Sequence, residues 1–165
     1  MIIRNITEAD AENFLNFLRT MDTETEFMMF EPGERSSDVN DIREKIKEVF
    51  DSASIMLVLE DDARIVGFIS ADRGFANRIR HSAYIVIGLL RKYRGMGCGT
   101  RLLQEVDKWA VRNGISRLEL TVLKNNETAI RLYKKIGYKI EGIKEKSLKI
   151  NGDYIDEYYM AKLFD

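Results

Sequence analysis

The chain has 165 residues, 26 of them basic and 27 acidic, for a formal charge of -1 at pH 7. That length predicts a single domain over residues 1–165, able to bury about two-thirds of its unfolded surface. The near-neutral balance predicts no nucleic-acid partner, and 45% hydrophobic against 32% charged residues is a globular composition.

Met1 to Ile6 reads as an opening strand, and Thr7 with Glu8 and Asp10 as a helix start. Phe14, Leu15, Phe17 and Leu18 supply that helix with a core-facing stripe. Asp22 to Arg35 carries the only proline, a glycine and four glutamates, and reads as an irregular loop. Ser36 or Ser37 is expected to cap a second helix running to about Phe50, with Ile42, Ile46 and Val49 on one face. Strands follow at Ser54 to Glu60, Arg64 to Asp72 and His81 to Leu90, the first two as a hairpin turning at Asp61-Asp62. Helical spacing returns at Thr100 to Arg112 and stops at Asn113-Gly114. Leu118, Leu120 and Val122 alternate as a strand, and Ala129, Leu132, Tyr133 and Ile136 share a helix face closed by Gly137. The tail reads as two strands joined by Asn151-Gly152. The order β-α-α-β-β-β-α-β-α-β-β mixes hairpins with crossovers, so an α+β domain with a mixed sheet is expected.

The longest apolar run, Ala83 to Leu90, is too short to cross a bilayer, and Met1 to Arg4 leads into polar sequence without a secretory pattern. Cys98 stands alone, which excludes an internal disulfide, and one Cys with one His gives no protein-built zinc site. A cytoplasmic protein with no membrane partner and no metal is therefore expected.

The stretch Leu89 to Thr100 follows a strand, opens a helix and carries Gly95, Gly97 and Gly99 amid Arg91, Lys92 and Arg94. Exposed amides at a helix start form an anion site, and glycines let a phosphate reach them. The dinucleotide fingerprint fails in both frames, with Thr100 or Leu102 at its sixth position. The nucleotide P-loop fails too, because no Lys separates Gly99 from Thr100.

What the stretch matches is R-x-x-G-x-G, as Arg94, Gly97 and Gly99; a second pattern follows as Asn126-x-x-Ala129-x-x-Leu132-Tyr133-x-Lys135-x-Gly137-Tyr138. Together they resemble the two signatures of the GNAT acetyltransferase superfamily, specifically over about Ile55 to Lys162. The resemblance implies a mostly antiparallel mixed sheet with one splayed parallel pair, flanked by helices, and acetyl-CoA as cosubstrate. It assigns the cofactor to the backbone of Leu89 and Leu90, to Arg94, Gly95, Met96, Gly97, Cys98, Gly99 and Thr100, and to Asn126 and Tyr133. The Leu89 amide would stabilise the oxyanion, and Tyr133 would protonate the leaving thiolate. Glu26, Glu119 and Tyr84 are candidate bases, with Glu26 placed first. Acceptor contacts are expected from Glu24, Glu26, Phe27, Met28, Tyr84, Tyr154 and Asp156.

The implied reaction is direct transfer to a small primary amine: an amino acid, a polyamine or an aminated antibiotic. A protein N-terminus of the ribosomal-protein type is the other acceptor class, and a non-catalytic acetyl-CoA-binding module the other function. The resemblance also admits a homodimer. Cys98, without an activating His or Asp, reads as a small filler rather than a nucleophile. Tyr133, taken without the motif, would be a core tyrosine with a satisfied hydroxyl. Relatives often place a proline and an acid before the Tyr-Arg-Gly; here Arg91-Lys92 stands there, which makes the pocket rim more basic.

Overall fold

Arg4 at the end of the first strand grips Asp10 through two bonds of 2.8 Å, and Asp10 in turn accepts the Thr7 N–H at 2.8 Å. That local knot turns the opening strand into the first helix. The computed structural model describes residues 1–165. It contains β1 (Ile2–Asn5), α1 (Ala11–Glu24), α2 (Val39–Asp51), β2 (Ile55–Asp61), β3 (Arg64–Arg73) and β4 (Ser82–Leu89). The chain continues through α3 (Cys98–Arg112), β5 (Arg117–Leu123), α4 (Glu127–Lys135), β6 (Lys139–Ile150) and β7 (Asp153–Leu163).

The strands form one sheet in the order β1-β2-β3-β4-β5-β7-β6. Every neighbouring pair is antiparallel except β4 and β5, which run parallel. This is the α+β mixed sheet that the element order predicts. Asn151 and Gly152 both take positive φ, 51° and 87°, the mirror-image turn that matches strand twist. Asp38, rather than Ser36 or Ser37, caps α2 by accepting the Asn40 N–H at 2.9 Å. Ser36 instead donates to Asp41 and accepts from Asp38 N–H, ordering the approach to the helix. The loop after α1 begins at Thr25, later than expected, because Met21 and Asp22 are buried and α1 keeps its last turn on the sheet.

Strand alternation divides the core between the two faces of the sheet. Leu57, Ile69, Ile85, Leu118 and Leu120 face α3 and α4 in a cluster of 20 buried residues. Val58, Ile65 and Phe68 face α1 and α2 in a cluster of 12. No helix is long and apolar enough to cross a membrane.

Candidate active site

β4 and β5 are paired only from Ser82↔Arg117 to Tyr84↔Glu119. β3 holds β4 as far as Leu89, and β7 holds β5 as far as Leu123. The two parallel strands are thus carried apart beyond Tyr84 while each keeps its outer partner, which leaves a slot in the middle of the sheet.

Leu90 donates its N–H to Val66 O at 3.0 Å. Antiparallel bonds alternate along a strand, so the amides of Leu89 and Ile87 point away from β3 and into the slot. Leu89 therefore has the free amide expected of it. Leu90 does not: its N–H is held by Val66, and its carbonyl accepts the Tyr93 N–H at 2.9 Å. Ile87 is an amide that sequence reasoning missed, because only the register reveals which way it points. Arg94 donates Nε to Leu89 O at 3.0 Å, tying the glycine turn to the rim of the slot.

The turn itself runs from Arg94 into α3. Gly95 and Gly97 have φ of 73° and 78°, and a Cβ on either would meet nothing within 4 Å, so the backbone lies open there. The first rung of α3 outside its regular ladder is Arg101 N–H to Gly97 O at 3.1 Å. The amides of Gly95, Met96, Gly97, Cys98, Gly99 and Thr100 precede it, and none makes a hydrogen bond within the protein. Six free N–H groups at the positive end of a 15-residue helix are a cradle for an anion. The pyrophosphate of acetyl-CoA fits this donor set. Gly99 serves differently: a Cβ there would stand 3.0 Å from Leu132 Cδ2, so this glycine lets α3 approach α4. The Cys98 thiol is buried in the core, which agrees with a filler role.

Tyr133, on α4, is 7% exposed and packs its ring 5.6 Å from that of Tyr138. Its hydroxyl has no hydrogen-bond partner in the protein, unlike the satisfied hydroxyl of an ordinary core tyrosine. Burial pushes the phenol well above its usual range, and Tyr84 lies close enough to push it further. Asn126 caps α4 by accepting the Ala129 N–H at 3.3 Å, leaving its side-chain amide group free to donate.

Arg117, Glu119 and Thr121 alternate with the buried Leu118 and Leu120, so they lie on the opposite face from α3 and α4. With Tyr84, Glu141 and Tyr159 they line an open cleft of about 360 Å³. Tyr84 and Thr121 share a hydroxyl hydrogen bond of 2.7 Å that bridges β4 and β5 where they begin to part. Glu119 is engaged by Arg117 Nε, and the rest of that guanidinium forks onto Glu141 at 2.9 and 2.6 Å.

Of the acceptor residues named from sequence, only Tyr84 lines this cleft. Glu24 accepts the Arg91 N–H at 2.6 Å and so joins α1 to the glycine turn. Glu26 accepts from Asn151 at 3.3 Å, at the β6–β7 turn. Phe27 is exposed on the loop after α1, and Met28 packs on the α1/α2 core. Tyr154 is exposed, with the ammonium groups of Lys146 and Lys149 at 5.1 and 5.4 Å from its ring centre. Asp156 accepts the Lys146 N–H at 2.8 Å. Arg117, Glu141, Thr121 and Tyr159 were invisible as site residues because they meet only through the β5–β7–β6 register. No group of three His, Cys, Asp or Glu side chains is placed to hold a metal ion.

A mixed sheet opened at its one parallel pair, with an amide cradle on one side of the opening and a charged cleft on the other, is the framework of an acyl-CoA-dependent transferase. Residues 17–138 match the Acetyltransferase (GNAT) family, and the chain belongs to it. It is 35% identical over 106 residues to the L-amino acid N-acetyltransferase AaaT of Escherichia coli K12, a match covering 62% of this chain and 64% of that enzyme, just under two-thirds of its length. It is 27% identical over 144 residues to the spermidine N(1)-acetyltransferase of the same organism, covering 85% of this chain and 75% of that one. An acetyltransferase of the GNAT family from Streptococcus pneumoniae superposes with a TM-score of 0.94 at 30% identity, over 99% of both chains.

Proposed function

We propose that the chain is an N-acetyltransferase that moves the acetyl group of acetyl-CoA onto a primary amine of a small molecule by direct attack. The observation that carries this reading is the slot between β4 and β5. The free Leu89 amide turns into it, Tyr133 packs in the core on its α3/α4 side, and the Tyr84 cleft opens on the other side. Bound acetyl-CoA supplies an activated acyl thioester. The amides of the Gly97 turn and the α3 N-terminus hold its pyrophosphate, with Arg94 beside them. Leu89 N–H, and Ile87 N–H next to it along the strand, are donors for an oxygen that gains negative charge. Tyr133 keeps its proton at every working pH and is aimed to give it to a leaving thiolate, whose ordinary pKa is about 8.5. The desolvation that raises the phenol raises a thiolate formed beside it too, which keeps donor and acceptor matched.

The acceptor arrives on the cleft side. Glu119 is committed to Arg117 and Glu26 to Asn151, so we assign removal of the ammonium proton to a relay in which the Tyr84 hydroxyl oxygen takes it while passing its own proton through Thr121 to water. A cleft of about 360 Å³ has the size of a small-molecule site. The named activities of the two E. coli relatives, on L-amino acids and on spermidine, fit an acceptor of that size.

Calorimetric titration with acetyl-CoA, run beside ATP and NAD, tests the cofactor. Binding of acetyl-CoA alone is expected, and no binding would end the proposal. A thiol-release screen over L-amino acids, polyamines and a peptide with a free N-terminus then tests the acceptor. Turnover with the peptide alone would replace the small-molecule reading with the protein N-terminal one.

A further inference from the structure

Two buried side-chain polar atoms in the molecule have no hydrogen-bond partner: the Tyr138 hydroxyl and Asp107 Oδ1. They belong to different elements. Asp107 lies on α3, and Tyr138 follows α4 directly behind Tyr133. The fold nonetheless brings them together: a Cβ on Gly137, the residue before Tyr138, would stand 3.5 Å from Lys162 Cε, and the Asp107 charge helps burial to raise the Tyr138 phenol. The other oxygen of Asp107 is held by Lys162 of β7 at 2.6 Å. A carboxylate oxygen and a phenol, both buried and both dry, do not stay apart without something between them. A single water meets the need, for it can accept the phenol proton and donate to the carboxylate.

Tyr138 is also what stands behind Tyr133. The rings are 5.6 Å apart and inclined at 54°, and the Tyr138 N–H closes the end of α4 on the Tyr133 carbonyl at 3.0 Å. α4 has only nine residues, with Tyr133 in its last turn, so the helix alone does not fix the depth of that ring. We propose that Tyr138 is a positioning residue for Tyr133, anchored through one buried water to Asp107 and hence to Lys162. The proposal rests on the reading of Tyr133 as the proton donor. A tether of this kind keeps the Tyr133 hydroxyl at the slot, and proton transfer is steeply sensitive to such placement.

The test is one crystal structure and a double-mutant cycle. A crystal structure resolving ordered solvent is expected to show one water within hydrogen-bond reach of both Tyr138 Oη and Asp107 Oδ1; a dry gap or a direct bond overturns the water. Tyr138→Phe removes one oxygen and keeps the ring. Its expected effect is a melting midpoint near that of the parent, an unchanged KM for acetyl-CoA, and a kcat lowered about 5-fold. In a Tyr133→Phe background the same substitution is expected to cost nothing more, because its effect passes through the Tyr133 hydroxyl. An unchanged kcat in Tyr138→Phe, or an equal loss in both backgrounds, overturns the positioning role. Full turnover in Tyr133→Phe alone would instead overturn the proton-donor reading, so the two failures are told apart.

Discussion

In the proposed reaction Tyr133 takes its chemical task from its surroundings. It lies on the apolar stripe of α4, and spacing alone would make it core. What separates it from core is an unpartnered hydroxyl beside the opening of the sheet, with burial keeping it protonated. Tyr133→Phe is expected to lower kcat about a hundredfold while leaving the KM for acetyl-CoA within about twofold, read by thiol release. Gly97 presents the complementary case, a residue defined by what it lacks. A Cβ there would enter open space but at a φ of 78°, so Gly97→Val both strains the turn and crowds the anion cradle. Calorimetry is expected to show acetyl-CoA binding lost, with the fold retained by circular dichroism. The motif residues were legible in sequence because backbone phosphate cradles are local. The packing role of Gly99 was not legible, since its neighbour Leu132 is 33 positions away.

At the scale of elements, the loop after α1 is held by contacts that sequence did not advertise. Asp22, buried on α1, is paired through both oxygens with Arg35, whose guanidinium also stacks 4.6 Å over Phe30. Glu24 and Glu26 suggested an acceptor-binding surface; in the structure Glu24 ties the end of α1 to the glycine turn, and Glu26 ties the loop to the last hairpin. Arg35→Met leaves a buried carboxylate alone and is expected to cost about 3 kcal/mol in urea melts. The Arg4–Asp10 knot binds β1, the first turn and, through Glu60, β2. The Arg4 bonds hold the Asp10 carboxyl at about 2, below its ordinary 3.8. A depressed folded-state value means that the stabilisation is complete above pH 4 and is lost as the pH falls from about 4 to about 2. With solvent screening it amounts to about 1 kcal/mol. Asp10→Asn is expected to lower the melting midpoint at pH 7 and to flatten its fall between pH 4 and pH 2.

On the scale of the whole molecule, two core clusters lie on opposite faces of one sheet and share its strands. Neither layer of helices has a sheet of its own, so the chain is expected to unfold as one unit. Urea transitions followed by Trp109 fluorescence, on the α3 side, and by far-ultraviolet circular dichroism are expected to coincide; two separated transitions would divide residues 1–165 into more than one domain. The sequence by itself determined the element order, the Asn151-Gly152 turn, the mixed sheet and the glycine turn at the start of α3. Each of these follows from period, capping or turn chemistry within a few residues. The first hairpin, by contrast, turns at Asp62-Ala63, one residue beyond Asp61-Asp62, because Asp61 still pairs with Arg64. Only the tertiary structure decided that β4 and β5 part after Tyr84, that Ile87 as well as Leu89 turns an amide into the gap, and that Arg117, Glu119 and Glu141 share one cleft. Those facts depend on which strands outside the pair hold each partner, and long-range register is not written in any local stretch of residues.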